Sequence, residues 1–321
     1  MKLNKKDFIN HINSNFHFEK TPKISVAVSG GPDSMALIYL TKLWLEKING
    51  NLIGLIVNHG LRKESKNEAL EVKKILKDLK INSYILNVTK NKLVKHNMSE
   101  ARDNRYSKMI HYCKKNKILH LFVAHHKDDN LETYLIRKIS GSNIEGLFGM
   151  NDTTVKDKIQ IVRPLLNVTK KQIYNFLKKE NIKYLEDPSN LSEKYTRPIV
   201  RNFLKNNKIS KEIDRDFKFI RNYQTSYRGM IWQKFNRLAL SATRSKIVIE
   251  LSSMKKENFL VFEKIINLVF KYFFGSKNYI RSTKIEILWN ALHNKNFKMF
   301  NIKGLLIKKN DRLLIFSTKK V

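Results

Sequence analysis

With 321 residues, 42% of them hydrophobic, the chain is long enough to bury at least one full core and too apolar for a mainly disordered protein. One cysteine, Cys113, excludes an internal disulfide, a CxxC redox pair and a thiolate cage for zinc or iron–sulfur. The formal net charge of +35, from 63 Lys and Arg against 28 Asp and Glu, repels itself unless a polyanion is the usual partner, and phosphate backbones are the commonest one. An AT-rich genome would also enrich Lys, Asn and Ile, so charge alone leaves both explanations standing. The apolar runs Met35–Leu40 and Leu52–Val57 are too short to span a bilayer, and Met1–Asp7 lacks the apolar stretch of a signal peptide. The expectation is a cytoplasmic protein with no membrane partner.

From Lys23 to Ala124 short apolar strands alternate with helical patterns. Ile24–Val28 reads as a strand ending at Ser29-Gly30-Gly31, and Ser34–Ile48 as a helix. Leu52–Val57 is almost continuously apolar, as a strand covered on both faces is. A helix over Glu64–Leu79, a strand over Ser83–Val88, a helix over Ser99–Lys115 and a strand over Leu119–Ala124 complete βαβαβαβ. That order predicts a parallel, doubly wound α/β sheet with right-handed crossovers and a ligand at the strands' carboxyl ends. Thr169 to Gln172 forms a capping-box start to a helix reaching about Glu180, Asp187-Pro188-Ser189-Asn190 is a turn, and Arg197–Leu204 opens another helix. The polar run Lys205-Asn206-Asn207-Lys208 suggests a boundary, giving a first domain over 1–205, with a helical extension from about 166, and a second over 206–321. The second carries helix patterns at Lys211–Leu238, Phe259–Phe274 and Thr283–His293 and a closing hairpin, Gly304–Lys308 and Arg312–Phe316, with its turn at Asn310-Asp311. It reads as a smaller, mostly helical α+β domain.

Chemistry concentrates in two strings. In Ser29-Gly30-Gly31-Pro32-Asp33-Ser34 the glycines permit a tight turn that presents amide N–H groups to an anion at a helix N-terminus. Ser29 and Ser34 add hydroxyls, and Asp33 is placed to hold Mg²⁺ against phosphates. The plainer alternative is a Gly-rich turn with Asp33 or Ser34 as a cap. The second string, Ala124-His125-His126-Lys127-Asp128-Asp129-Asn130-Leu131-Glu132-Thr133, follows the fourth strand. Asp129 and Glu132 share one helical face and could hold a metal, capture an ammonium group or accept a proton. A helix start made acidic by the macrodipole is the alternative. Zinc on His125 and His126 is disfavoured, because adjacent residues on a strand point to opposite faces. Arg197, Arg201 and Lys205 recur every four residues, as phosphate contacts on one helical face or as a solvated face. Trp232, Phe235 and Tyr272 fit either base stacking or a core.

The first string resembles the pyrophosphate loop of the N-type ATP pyrophosphatases, which implies an adenine nucleotide alpha hydrolase-like, PP-loop fold and cleavage of ATP between its α and β phosphates. Together with the second string, Asn58-His59-Gly60-Leu61, Glu100-Ala101-Arg102-Asp103-Asn104-Arg105-Tyr106, Gly146-Leu147, Met150, Arg163-Pro164-Leu165-Leu166, Asp187-Pro188-Ser189-Asn190 and Arg201-Asn202 are similar in order to the tRNA(Ile)-lysidine synthetases, over roughly half the chain. One departure is Ser140-Gly141, where that family has Arg-Gly; Arg137 and Lys138 stand close by. The resemblance implies ATP, Mg²⁺, free L-lysine and a CAU-anticodon isoleucine tRNA as reactants and partners, with 206–321 gripping the tRNA. It implies catalytic roles for Asp33, Arg105, Asp129 and Glu132. Ser29, Gly30, Gly31, Pro32, Asp33, Ser34 and His59 would hold the nucleotide, Asp33 and Asp129 the metal, and Arg197, Arg201 and Lys205 the tRNA. Oligomeric state, homodimer included, is left open.

Three rivals stand beside this reading. A tRNA 2-thiolation enzyme of the same fold would need more cysteines than Cys113. A small-molecule ligase such as a GMP or NAD synthetase would not need the basic surplus. A non-catalytic RNA-binding protein would not need the intact Ser29–Ser34 loop or the Asp129/Glu132 pair.

Overall fold

A computed structural model describes residues 2–58, 65–88, 98–186, 196–275, 279–294 and 296–318. The chain forms two compact units, Met1–Arg221 and Asn222–Val321. The division falls inside a long helix, C-terminal to the polar run at 205–208. Among the described residues no helix is long and apolar enough to cross a membrane.

The first unit contains α1 (Lys5–Asn15), β1 (Lys23–Val28), α2 (Pro32–Lys47), β2 (Asn51–Asn58), α3 (Ser65–Asp78), β3 (Ser83–Asn87), α4 (Met98–Lys115), β4 (His120–Phe122) and α5 (Lys127–Ile139). It continues through α6 (Ile144–Leu147), β5 (Thr153–Lys156), β6 (Ile159–Val162), α7 (Lys170–Lys179), α8 (Thr196–Phe203) and the start of α9 (Asn207–Leu238). The sheet order is β3-β2-β1-β4-β6-β5, with all neighbours parallel except the β5–β6 hairpin at one edge. This matches the expected doubly wound α/β sheet and adds β5 and β6, two four-residue strands without a readable alternation. Strand order reverses between β1 and β4, which opens a crevice at their carboxyl ends.

Both sheet faces are covered, which is why the parallel strands are almost uniformly apolar. On one face α1, α2, α3 and α7 bury Phe8, Ile38, Trp44, Val72 and Phe176. On the other, α4 packs Met109, Ile110 and Cys113 against Leu55, Leu121 and Ile161. The polar Ser25 in β1 is satisfied by donating to the His120 carbonyl at 3.2 Å. At the amino edge His120 bridges Gln160 and Glu19, each at 2.7 Å, and ties the segment after α1 to the sheet.

The first part of α9 lies on α5. Lys127 and Lys138 pair with Asp214 and Asp216 at 2.8 and 2.9 Å, and Phe217 sits 5.1 Å from the Tyr134 ring. The turn after α6 fits beneath this contact. The Met150 N–H donates to the buried Asn130 Oδ1 at 2.7 Å, and Gly149 has φ +72°.

The second unit holds the rest of α9, β7 (Ala239–Ala242), β8 (Lys246–Glu250), α10 (Leu251–Lys256), α11 (Phe259–Phe274), α12 (Ser282–His293), β9 (Met299–Ile302), β10 (Leu305–Asn310) and β11 (Leu313–Thr318). Its antiparallel sheet runs β7-β8-β11-β10-β9. The expected hairpin is β10–β11, with Asp311 at φ +50° in its turn, whereas β7, β8 and β9 are additions. The core joins Phe262, Ile266 and Val269 of α11 to Ile249, Ile307 and Phe316 of the sheet.

A side chain at position 149 would begin 2.4 Å from Asn130 Oδ1 and 2.9 Å from the Phe217 ring, in a backbone conformation that L residues rarely adopt. Gly149→Ala is therefore expected to lower unfolding free energy by about 1–3 kcal/mol in a urea titration. A change below about 0.5 kcal/mol would show that the turn is free to move off α5.

Candidate active site

The crevice at the β1/β4 reversal is a cleft of about 420 Å³, lined by the ends of β1, β2 and β4 and by side chains from α2, α3 and α4. Ser29, Asp33, Ser34, Arg105, Tyr106 and His125 all face it. The loop from Ser29 to Ser34 forms because β1 ends in two glycines and Pro32 starts α2 with its φ already suited to a helix. Gly30 has φ +89°, and a Cβ there would lie 2.4 Å from Val72 of α3. Ser34 Oγ accepts from the Ser29 N–H at 3.2 Å and donates to the Gly31 carbonyl at 3.0 Å, closing the loop on itself. The first-turn N–H groups of α2 then point toward the cleft end of the helix without intrahelical partners.

Carboxylates gather around His126, which is buried at the N-terminus of α5. Its Nε2 lies 3.7 Å from Asp33 Oδ2 and 3.5 Å from Asp129 Oδ2. Its Nδ1 lies 3.4 Å from the Asp129 N–H and 3.4 Å from Asp128 Oδ2. A neutral ring accepts from the first, and a protonated ring donates to the second. Burial opposes the charged ring, but the Asp128 hydrogen bond and the charges of Asp129 and Asp33 outweigh it and raise the His126 pKa. Burial also raises the Asp33 carboxyl, against the pull of His126 and Lys170. For Asp128 burial is outweighed by His126 and the Lys170 N–H, which hold its carboxyl low.

Three groups facing the cleft leave a charge or a polar atom without a partner among the described residues. Asp33 Oδ1 is buried with no hydrogen bond, and the half-buried Arg105 has no ion-pair partner among the described residues, burial lowering its pKa. His125, which the sequence reading left without a role, has a buried Nδ1 with no partner. Burial, helped by Arg163, Arg102 and Arg105 and opposed by Asp129, pushes its pKa down to about 3, so the ring is neutral at physiological pH. Among the described residues no group of three or more His, Cys, Asp or Glu side chains is placed to hold a metal ion by itself. Asp33 and Asp129, converging on one ring nitrogen, could supply two carboxylates to a cation that brings its other ligands with it.

The remaining predicted residues are distributed differently. Glu132 is only 2% exposed, and both its oxygens are engaged by Arg201, from Nε at 2.8 Å and from Nη2 at 3.3 Å. Arg201 is thus turned inward onto α5, away from the face it was expected to share with Arg197 and Lys205. Arg197 is exposed on α8, whereas Lys205 lies beyond the end of that helix, so the three do not form one row. Arg137 donates to the Gly146 carbonyl at 2.8 Å, steadying the turn that follows Ser140-Gly141. His59, Gly60 and Leu61, and the turn at 187–190, lie outside the described residues.

Two measurements probe these charges. Arg201→Ala leaves a buried carboxylate unpaired and is expected to cost about 1–3 kcal/mol of stability, discounted because Arg201 itself is partly exposed; adding Glu132→Gln should restore most of it. A loss within about 0.5 kcal/mol would return Arg201 to the solvated surface. For His126, a raised folded-state pKa stabilises fully below the unfolded value of about 6.5, and the contribution disappears as pH rises through the folded value. The stability gap between wild type and His126→Gln should therefore be larger at pH 6 than at pH 9, and a pH-independent gap would contradict an ionised ring.

Residues 3–208 match the PP-loop domain family. The chain is 40% identical over 193 residues to a tRNA(Ile)-lysidine synthase of Orientia tsutsugamushi (strain Boryong), covering 60% of this chain and 44% of the relative. It is 32% identical over 308 residues to the tRNA(Ile)-lysidine synthase of Rickettsia bellii (strain OSU 85-389), covering 92% of this chain and 69% of the relative. The match to the Orientia protein thus spans less than half of that relative's length. Among solved structures, a U34-tRNA thiolase from Methanococcus maripaludis with its 4Fe-4S cluster gives a TM-score of 0.57 at 19% identity over 68% of this chain and 80% of the thiolase, a likeness of fold. By its PP-loop domain, and by a match over 92% of this chain and 69% of the Rickettsia protein, the chain belongs to the PP-loop family and within it to the tRNA(Ile)-lysidine synthases.

Proposed function

We propose that this chain uses ATP to join free L-lysine to C2 of the wobble cytidine of a CAU-anticodon isoleucine tRNA, releasing AMP and pyrophosphate, as a cytoplasmic ligase. The observation that carries the reading is the cleft itself. Among the described residues it holds a guanidinium without a carboxylate, Arg105, and a buried carboxylate oxygen without a donor, Asp33 Oδ1. A polyphosphate with its cation answers both needs.

In this reading the amides of the Ser29–Ser34 loop and the N-terminus of α2 hold the phosphates, with Arg105 facing them. Asp33 and Asp129 would hold Mg²⁺, which suits an ion that takes one or two carboxylates and otherwise keeps waters and phosphate oxygens. When bound it would supply charge neutralisation to the phosphates. The cytosine 2-oxo oxygen attacks the α-phosphorus, and the bond to the β-phosphate oxygen breaks, with pyrophosphate taking the electron pair. The lysine ε-amine, after losing a proton, attacks C2; the C2–O bond breaks, AMP leaves, and the nitrogen loses a second proton. Neutral His125 could hydrogen-bond a reactant but does not begin as an acid, given its pKa of about 3. The basic second unit and the exposed Arg197 and Lys205 are proposed to meet the tRNA. Glu132 would meet lysine only if Arg201 released it.

The test is pyrophosphate release from ATP with radiolabelled lysine, with and without the CAU-anticodon isoleucine transcript. Release and lysine incorporation that both require the transcript would support the proposal. Release without incorporation would move the substrate elsewhere, and no release would favour the RNA-binding rival. Asp33→Ala is expected to abolish turnover and leave tRNA affinity within about twofold; residual turnover would remove Asp33 from the metal-holding role.

A further inference from the structure

Arg163 follows β6 directly, and the Val123 N–H donates to the Val162 carbonyl at 2.9 Å, so Arg163 sits one strand over from Val123-Ala124-His125 at the carboxyl edge of the sheet. It is only 7% exposed. Its Nη1 donates to the Asn151 carbonyl at 2.9 Å and to Thr154 Oγ1 at 3.1 Å, and its Nε is buried with no partner. No carboxylate among the described residues lies within ion-pair distance. The nearby Asp152 gives its Oδ2 to Arg221 at 2.8 Å.

A guanidinium buried without a counter-charge is unfavourable, and the neutral contacts around it do not require a cation. Tyr106, which lines the cleft, is the neighbour of Arg163 on that side and its hydroxyl is within hydrogen-bonding reach of the guanidinium. The Tyr106 ring is itself flanked by cations, with Arg102 at 5.9 Å and Lys156 at 5.5 Å. Among the described residues the acids on this side are Asp103, 3.6 Å from Lys156, and Asp152. Cations therefore outnumber acids here, while Asp33, Asp128 and Asp129 cluster around His126.

We propose that Arg163 is a positioning and specificity-determining residue, whose fixed charge beside Tyr106 makes the cleft favour a nucleotide in proportion to the number of its phosphates. The field of a buried cation is screened less by solvent than that of a surface charge and reaches into the neighbouring cleft. The depressed His125 pKa, to which Arg163 contributes, agrees with such a field. The proposal rests on nucleotide binding in this cleft and adds a residue that does not line it.

The experiment compares affinities of the full chain for adenosine, AMP, ADP and ATP in wild type, Arg163→Met and Arg163→Lys. Arg163→Met should weaken ATP about tenfold and adenosine less than twofold, with the loss growing at each added phosphate. Arg163→Lys, which keeps the charge but not the fork, should retain most of the gradient. Equal losses for adenosine and ATP, or equal damage from Met and Lys, would overturn the proposal, because a purely structural arginine behaves that way. If Arg163→Met does not fold, Arg163→Gln removes the charge while keeping a donor for the Asn151 carbonyl, and its gradient decides in the same way. Failure of wild type to bind ATP would overturn the nucleotide reading and this proposal together, and is seen before any variant is made.

Discussion

Everything at the carboxyl edge of the parallel sheet depends on keeping opposite charges buried in one cleft without letting them cancel. Desolvation disfavours each charge, and a buried group without a partner leaves that cost without an offset. His126 solves half of the problem. Set at the start of α5 beneath Asp33, Asp128 and Asp129, it supplies one positive centre for three carboxylates that would otherwise repel one another. Arg201 does the same for Glu132 one turn further along α5. Among the described residues Arg105 and Arg163, on the α4 and β6 side, have no such carboxylate partner.

The scaffold explains how such an arrangement survives. The charged groups sit on α2, α4 and α5 and on the strand ends, elements anchored by the two apolar layers on either side of the sheet. α5 has additional support from α9, through Phe217 and two ion pairs, so the helix that presents the acids is braced. A helix carrying two acids in its first turn, Asp128 and Asp129, gains from the macrodipole as well.

Much of this was legible in the amino-acid order. The strands that became β1 to β4 read clearly because burial on both faces leaves near-continuous apolar runs, and Ser29–Ser34 stands out because Gly, Gly and Pro adjoin there. The strands β5 to β9 did not, being short and mostly half-exposed, with too few residues to establish a period. Asp33 and Asp129 could be singled out by their place at strand ends. The Glu132–Arg201 pair could not, since its members are 69 residues apart and helical spacing describes neighbours on one helix, not partners on another. For the same reason His126 looked like an ordinary strand-end residue and Arg163 like one letter of a motif. Their meaning lies in burial and in what surrounds them, neither of which is written in local pattern.

The Ser29–Ser34 loop, proposed to face phosphate, is held in shape by contacts within the chain itself. Gly30 is pressed against Val72, its carbonyl accepts from the Leu185 N–H at 2.9 Å, and the two serines of the loop lie 3.3 Å apart, oxygen to oxygen. An incoming anion thus finds its donors already aligned and surrenders only its own translational and rotational freedom, not the loop's. Binding to such a site should be fast in its local step and should respond to the charge of the visitor far more than to any search by the backbone.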